Sequence, residues 1–296
     1  ERYQRNEKAL LATMLEMYVQ GVSTRKVSKV IENMCGKTYS KSFVSSLTKE
    51  LDEEVKLWRN SDLSTIKYPY IMVDVVYIKV RENNRVVSKA CHIAIGINEK
   101  GNREIIGLDL SDSESEYSWS NFFEYLKSRG LSGLKMIISD AHKGLVKAIK
   151  ETFVNVIWQR CQVHFLRNIL SKAPKKNTEE FRTDIKALFK IQDINLARKM
   201  KEGIFLKYEN EKKFQNSLNT LDKGFEDAFA YLANDVIHNR FRSTNCLERL
   251  NEEVRRREKV VRIFPNEDSA IRLIGAILID INEDWITSSK LYVRMK

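Results

Sequence analysis

The chain is poor in the residues that interrupt or staple a fold. With 3 prolines and 11 glycines in 296 residues, it has no room for a low-complexity linker. Its four cysteines, Cys35, Cys91, Cys161 and Cys246, lie far apart without framework spacing. That excludes a disulfide scaffold and points to free thiols in a reducing compartment. Long apolar runs are missing too. The stretch Leu273 to Ile281 falls well short of the roughly 20 residues a membrane span needs, and no secretory signal opens the chain. A soluble, cytoplasmic protein without a membrane partner is expected. The first residue is Glu1 rather than Met, so a preceding segment is expected as well. Positive charge, by contrast, is plentiful. Lys and Arg number 51 against 40 Asp and Glu, a net +11 with a pI near 9.3. Such a surplus suits a polyanion, because each cation placed on a duplex releases condensed counterions. Hydrophobic residues at 43% can bury a core of two or three packed domains.

Periodicity divides the chain. Leu10, Leu11, Met14, Leu15 and Tyr18 share one helix face, and Gly21 ends that helix. Ser23 caps a second helix holding Val27, Val30 and Ile31. After a Cys35-Gly36-Lys37 turn, Ser40 caps a third holding Phe43, Val44 and Leu47. Three short helices with tight turns predict a helix-turn-helix-like DNA-binding domain over residues 1–60. Its last helix would present Lys41, Ser42, Ser45, Ser46 and Lys49 to a major groove. From residue 70 the texture turns to strands at 71–80, 86–97 and 104–110, an antiparallel meander. A helix with Trp119, Phe122, Phe123 and Leu126 follows, then a strand at 134–139, a helix with Leu145 and Ile149, and a strand at 154–158. That order predicts an α/β RNase H-like core with a mixed sheet, its first part at 61–160. Residues 161–240 read as an all-α insertion. Residues 241–296 complete the core with a basic helix near 243–259 and an apolar one near 266–285.

Three acids draw attention within that frame. Asp74 stands mid-strand among Val73, Val75 and Val76, where an unpaired charge is costly. It needs either a buried Lys or Arg or a metal. Asp140 follows the strand at its carboxyl end, where open α/β sheets collect ligands, although it could also cap the next helix. Glu248 lies on the basic helix, and helical spacing leaves Glu252 and Glu253 as alternatives. Carboxylates brought together in this way suit two divalent ions that activate the attacking oxygen and stabilise the leaving oxygen of a phosphodiester.

The segments YPYIMVDVVYIKVRE, IISDAHKGL, WQRCQVHFLRN and STNCLERLNEEVRRR resemble those of bacterial Mutator-like insertion-sequence transposases of the DDE superfamily, in order and over essentially the whole chain. The resemblance implies that Asp74, Asp140 and Glu248 are the catalytic, metal-holding acids, choosing Glu248 over its neighbours. It implies two Mg²⁺ ions, with Mn²⁺ as a substitute, and a helical insertion before the Glu. It further implies recognition of terminal inverted repeats, joining to a target duplex, a homodimer on paired ends and a place at the bacterial nucleoid. A non-catalytic DNA-binding regulator and an RNase H-like nuclease without strand transfer are the rival readings.

Cys161-Gln-Val-His164 resembles a short Cys/Asp-x-x-His motif of the same family. It is half of a zinc site by type, but no second Cys or His pair completes it, with His92, His142 and His238 scattered. An auxiliary role beside the acids or on DNA is expected for His164, with Cys161 packed as a small apolar group. His142 and Lys143, just after Asp140, and Arg249, Arg255, Arg256 and Arg257, on the helix of Glu248, are the remaining candidate DNA contacts. Trp158 is read as core.

Overall fold

A computed structural model describes residues 2–36, 38–234 and 239–294, with side chains from residue 7 onward. Lys37 and His238 lie outside the described residues. The first three helices are α1 (Arg2–Val19), α2 (Thr24–Cys35) and α3 (Lys41–Leu47). Ser23 and Ser40 cap α2 and α3 by accepting the amides of Lys26 and Phe43. Gly21 and Gly36 take positive φ at the two helix ends, the left-handed conformation that glycine enters without a Cβ penalty. Met14, Val27, Ile31, Val44 and Leu47 form a small core of their own. Val30 and Phe43 do not join it. They are 38% and 40% exposed, because three short helices share a single seam too narrow for every apolar position, and Phe43 stacks on Tyr39 instead.

A fourth helix, α4 (Leu51–Arg59), was not expected from the sequence. Its Leu51 and Val55 belong to the core around the sheet, and Arg59 hydrogen-bonds Leu108 O and Asp109. The sheet comprises β1 (Tyr70–Glu82), β2 (Arg85–Ile97), β3 (Arg103–Ser111), β4 (Met136–Ser139) and β5 (Ile157–Arg160), in the order β3-β2-β1-β4-β5. The first three are antiparallel, while β4 and β5 run parallel to β1. Asn83 and Asn84, both at positive φ, make the two-residue turn whose twist matches the β1–β2 hairpin. The last strand sits later than its apolar residues suggest. Asn155 at φ 64° turns the chain after the helix, Val154 is 80% exposed, and pairing with β4 begins at Ile157.

Helices α5 (Glu116–Ser128) and α6 (Lys143–Thr152) cover one face of the sheet. Ile71, Val73, Ala94 and Ile137 meet Trp119, Phe122, Phe123 and Leu145 there. On α7 (Gln162–Ser171), α8 (Glu179–Leu188), α9 (Ile194–Tyr208), α10 (Gln215–Ala228) and α11 (Ala230–Ala233), aromatic side chains build a separate helical core, with Phe181 stacked on Phe214 at 4.3 Å. The other sheet face packs α12 (Asn245–Val261) and α13 (Glu267–Thr287), through Leu247, Leu250, Val254 and Ile274 against Met72, Val76 and Ile138. A buried Lys89, held by Glu82, Asp112 and Glu267, ties the start of α13 to the sheet. No helix among the described residues is long and apolar enough to cross a membrane.

Candidate active site

Side chains alternate along a strand. On β1 the odd positions Ile71 and Val73 face α5 and α6, and the even positions Met72 and Val76 face α12. Asp74 therefore points to the α12 side. The same count on β4 places Met136 and Ile138 on that side, with Asp140 two residues beyond. Met72 is paired with Ile138, so continuing the parallel register by two residues sets Asp74 level with Asp140.

No lysine or arginine compensates Asp74 among the described residues. One carboxylate oxygen accepts the Val75 amide at 2.9 Å, and the other accepts Nδ2 of Asn251 at 2.8 Å. Its pKa is pushed up to about 6, first by burial and then, against the Val75 hydrogen bond, by the negative charge of Asp140, with Glu114 adding to it. Asp140 uses one oxygen to accept the His142 amide at 3.2 Å, which shapes the turn before α6. The N-cap residue of that helix is His142. Gly144 lets the turn sit close to α5, since a Cβ there would lie 2.6 Å from the Glu116 amide nitrogen.

Glu248 reaches the same face from α12. Its Oε1 lies 3.4 Å from Nε2 of His164 on α7. Cys161 precedes α7 and is fully buried, and its sulfur accepts hydrogen bonds from both the amide and the hydroxyl of Thr244, at 3.5 and 3.3 Å. Thr244 in turn accepts the Glu248 amide. The two motifs thus dock helix start to helix start: Cys161 binds Thr244, and one turn on, His164 faces Glu248. The neighbouring Cys161 thiol, against the effect of burial, holds His164 up to about 8, with Glu248 and Asp74 adding to the rise. Burial opposes ionisation of the Cys161 thiol, yet the neighbouring His164 and Thr244 outweigh it and lower the pKa.

Removing the Cys161 sulfur would strand two buried donors, which costs about 1–3 kcal/mol. Cys161→Ala is accordingly expected to lower the thermal unfolding midpoint. It should also slow any chemistry that depends on Glu248 by about ten- to a hundredfold, while DNA affinity stays put. Equal loss of binding and rate would mean a general folding defect instead.

Two further residues were not singled out in the sequence. Asn251 stands three positions after Glu248 on the same helix face, a spacing that could have found it, and its Oδ1 is buried without a partner. Glu114 sits in the β3–α5 loop. It accepts from Trp119 Nε1 and Tyr77 OH at 3.3 Å and lies 3.4 Å from His142 Nδ1, and no sequence signal marks it. Among the described residues, no three His, Cys, Asp or Glu side chains stand close enough to ligate one ion. In donor type and charge, however, the acids fit a hard cation: they offer carboxylate oxygens, and Asp74, half-buried, is repelled by the neighbouring acids and answered by His164 but by no lysine or arginine.

The candidate DNA contacts separate. Lys41, Ser45, Lys49, Lys143, Arg249, Arg255 and Arg256 are exposed, and Arg256 is paired with Glu253 at 2.7 Å. Lys49 lies in the turn after α3 rather than on it. His142 and His164 are half-buried beside Glu114 and Glu248. Arg257 requires a correction. It is 6% exposed, gives Nη2 to Gln20 of α1 at 2.7 Å and packs against Gly21, because helical rotation carries it to the sheet side of α12. Trp158 is partly buried, its indole N–H held by Ser139 Oγ at 2.9 Å, and His92 is buried edge-on against Trp119.

A mixed α/β sheet that gathers acids at one face, in a chain of net charge +11, is the make-up of a nucleic-acid-processing protein. The chain belongs to the Mutator family of transposases, whose pattern matches residues 1–288. It is 61% identical over 293 residues to the transposase for insertion sequence element IS256 in transposon Tn4001 of Staphylococcus aureus, covering 99% of this chain and 75% of that one. The transposase for insertion sequence element ISRM5 of Rhizobium meliloti is 40% identical, over 100% of this chain and 73% of its own length. That for IS1081 of Mycobacterium tuberculosis is 37% identical, over 97% and 69%. A strand transfer complex of the Drosophila P element transposase superposes with a TM-score of 0.39 at 12% identity, over 96% of this chain and 81% of that one, a likeness too slight to argue from.

Proposed function

We propose that this chain is a DDE-type insertion-sequence transposase that binds the terminal inverted repeats of its element and cuts and joins DNA. In this reading the sheet with α12 is an RNase H-like core, residues 1–60 are a helix-turn-helix-like DNA-binding domain, and 161–240 are a helical insertion. The observation that supports it is that Asp74, Asp140 and Glu248, from β1, the end of β4 and α12, lie on one face of the sheet. Those residues would hold two Mg²⁺ ions, or Mn²⁺ in their place. When bound, the ions would supply Lewis-acid stabilisation of the attacking and leaving oxygens.

The protein's own groups do the positioning. Asn251 and the Val75 amide fix the Asp74 carboxylate, and His164 orients Glu248. Lys143, Arg249, Arg255 and Arg256 are exposed and would meet phosphates, and Lys41, Ser45 and Lys49 lie on or beside the exposed side of α3 to meet a groove. Water opens a phosphodiester at the element's end, and the released 3′-hydroxyl attacks a second phosphodiester. Each step breaks one P–O bond and forms another, so no covalent link to the protein is required. A homodimer on paired ends, working at the nucleoid, completes the proposal.

The test is incubation of labelled element-end DNA with the protein and Mg²⁺, Mn²⁺ or a chelator. Nicking and end-joining with either metal, and none with chelator, are expected. Binding without strand chemistry would favour a DNA-binding regulator, and nicking without joining would favour a nuclease.

A further inference from the structure

Many surface cations of this protein are neutralised where they stand. Arg198, Lys201 and Lys207 each face a carboxylate at 2.7 Å. Around the first turn of α12 the pattern reverses. Two adjoining hollows of about 630 and 350 Å³ share Arg103, Arg240 and Tyr292 and form one trough. Its walls carry Arg103, Arg240, Arg242, Arg249, Lys290 and Arg294 against one carboxylate, Asp284. Among the described residues, the ion pairs of the protein include none of Arg103, Arg242, Arg249, Lys290 and Arg294.

The trough is also held in shape. The Arg103 guanidinium lies 3.9 Å above the Trp285 ring and donates from Nη1 to Cys246 Sγ at 3.2 Å. Arg240 lies 4.7 Å over Tyr292. An arginine stacked on a ring has little rotamer freedom left to lose on binding. The hydroxyl of Thr244 is engaged by Cys161 and gives α12 no side-chain cap, so the positive end of that helix adds to the field. Consecutive residues on a helix differ by about 100°. Glu248 can therefore face His164 while Arg249 lines the trough.

We infer that this trough is a second DNA contact, which takes the phosphodiester backbone of the target duplex. The inference rests on the transposase reading. Two features choose target over element end. The lining holds no residue of α1–α4, where the candidate sequence-reading helix lies, and its cations come from several separate segments, an arrangement suited to phosphates rather than to base edges. A joining reaction also needs its second duplex beside the helix that carries Glu248.

The test measures affinity across a salt series, without metal, for a duplex of unrelated sequence and for an element-end duplex. The protein is compared with Arg242→Gln/Arg294→Gln and with Arg198→Gln as a remote control, and each variant's fold is checked by thermal melting. The double variant is expected to bind the unrelated duplex about tenfold more weakly, with the slope of log K against log salt smaller by about two. It should lose less on the element end, and Arg198→Gln should change neither. An unchanged affinity and slope on the unrelated duplex would overturn the trough, and a loss confined to the element end would overturn its assignment to target. Nicking of the element end by the unsubstituted protein, followed in parallel, keeps the two ideas apart. Its absence alongside the expected binding loss would sink the transposase reading and leave the trough as a DNA site.

Discussion

Asp74→Asn is expected to abolish strand cleavage and at the same time to raise the melting temperature at pH 7.5. The first half follows from the metal-holding role proposed for Asp74: losing a charged oxygen there would remove several kcal/mol of transition-state stabilisation, so the rate should fall by about a thousandfold or more. The second follows from linkage. The Asp74 carboxyl titrates near 6 in the fold against 3.8 in its absence. Between those values the folded chain binds a proton that the unfolded chain does not, so stability falls as pH rises through that window. Above it the protein carries a charged, mostly buried carboxylate at a cost on the order of 2–3 kcal/mol. Asparagine never ionises, and the Asn251 amide, whose Oδ1 lacks a partner, can turn to accept from it. The gain in melting temperature should be several degrees at pH 7.5 and vanish near pH 4. A variant less stable than the parent at both pH values would show that Asp74 is structural.

The second large effect separates Glu248 from its neighbours. Glu248→Gln should cost about a thousandfold in cleavage, whereas Glu252→Gln should stay within about twofold, as an exposed surface change does. On chemistry alone the three glutamates of this helix are equivalent. Packing makes them different: Glu248 faces His164, Glu252 is exposed and Glu253 is taken by Arg256. Equal losses in the two variants would remove Glu248 from its assigned role. Nicking rates on element-end DNA, with DNA affinity measured in parallel, decide between these outcomes.

Much of the architecture was legible along the chain. The alternation from Ile71 to Val80 and the apolar run before Asp140 mark their strands, and Ser23 and Ser40 mark helix starts, because these signals act within a few residues. Legibility failed where a segment's partners lie elsewhere. Arg257 reads as part of an exposed basic run, yet it is buried, since the position of Gln20 and Gly21 against α12 is unknown to its local sequence. The amphipathic α4 went unread between a turn and a strand, and β5 starts three residues late because a left-handed Asn155 displaces it.

By itself, then, the sequence determined most of the elements, their caps and turns, the basic balance and the acids that a sheet would have to accommodate. Tertiary structure decided which of those acids share one face of the sheet. The parallel register of β1 with β4 sets Asp74 level with Asp140. The docking of Leu247, Leu250 and Val254 on the sheet turns Glu248 and Asn251 toward them. Helical periodicity leaves residues one turn apart equivalent, and only burial against a particular neighbour breaks that degeneracy.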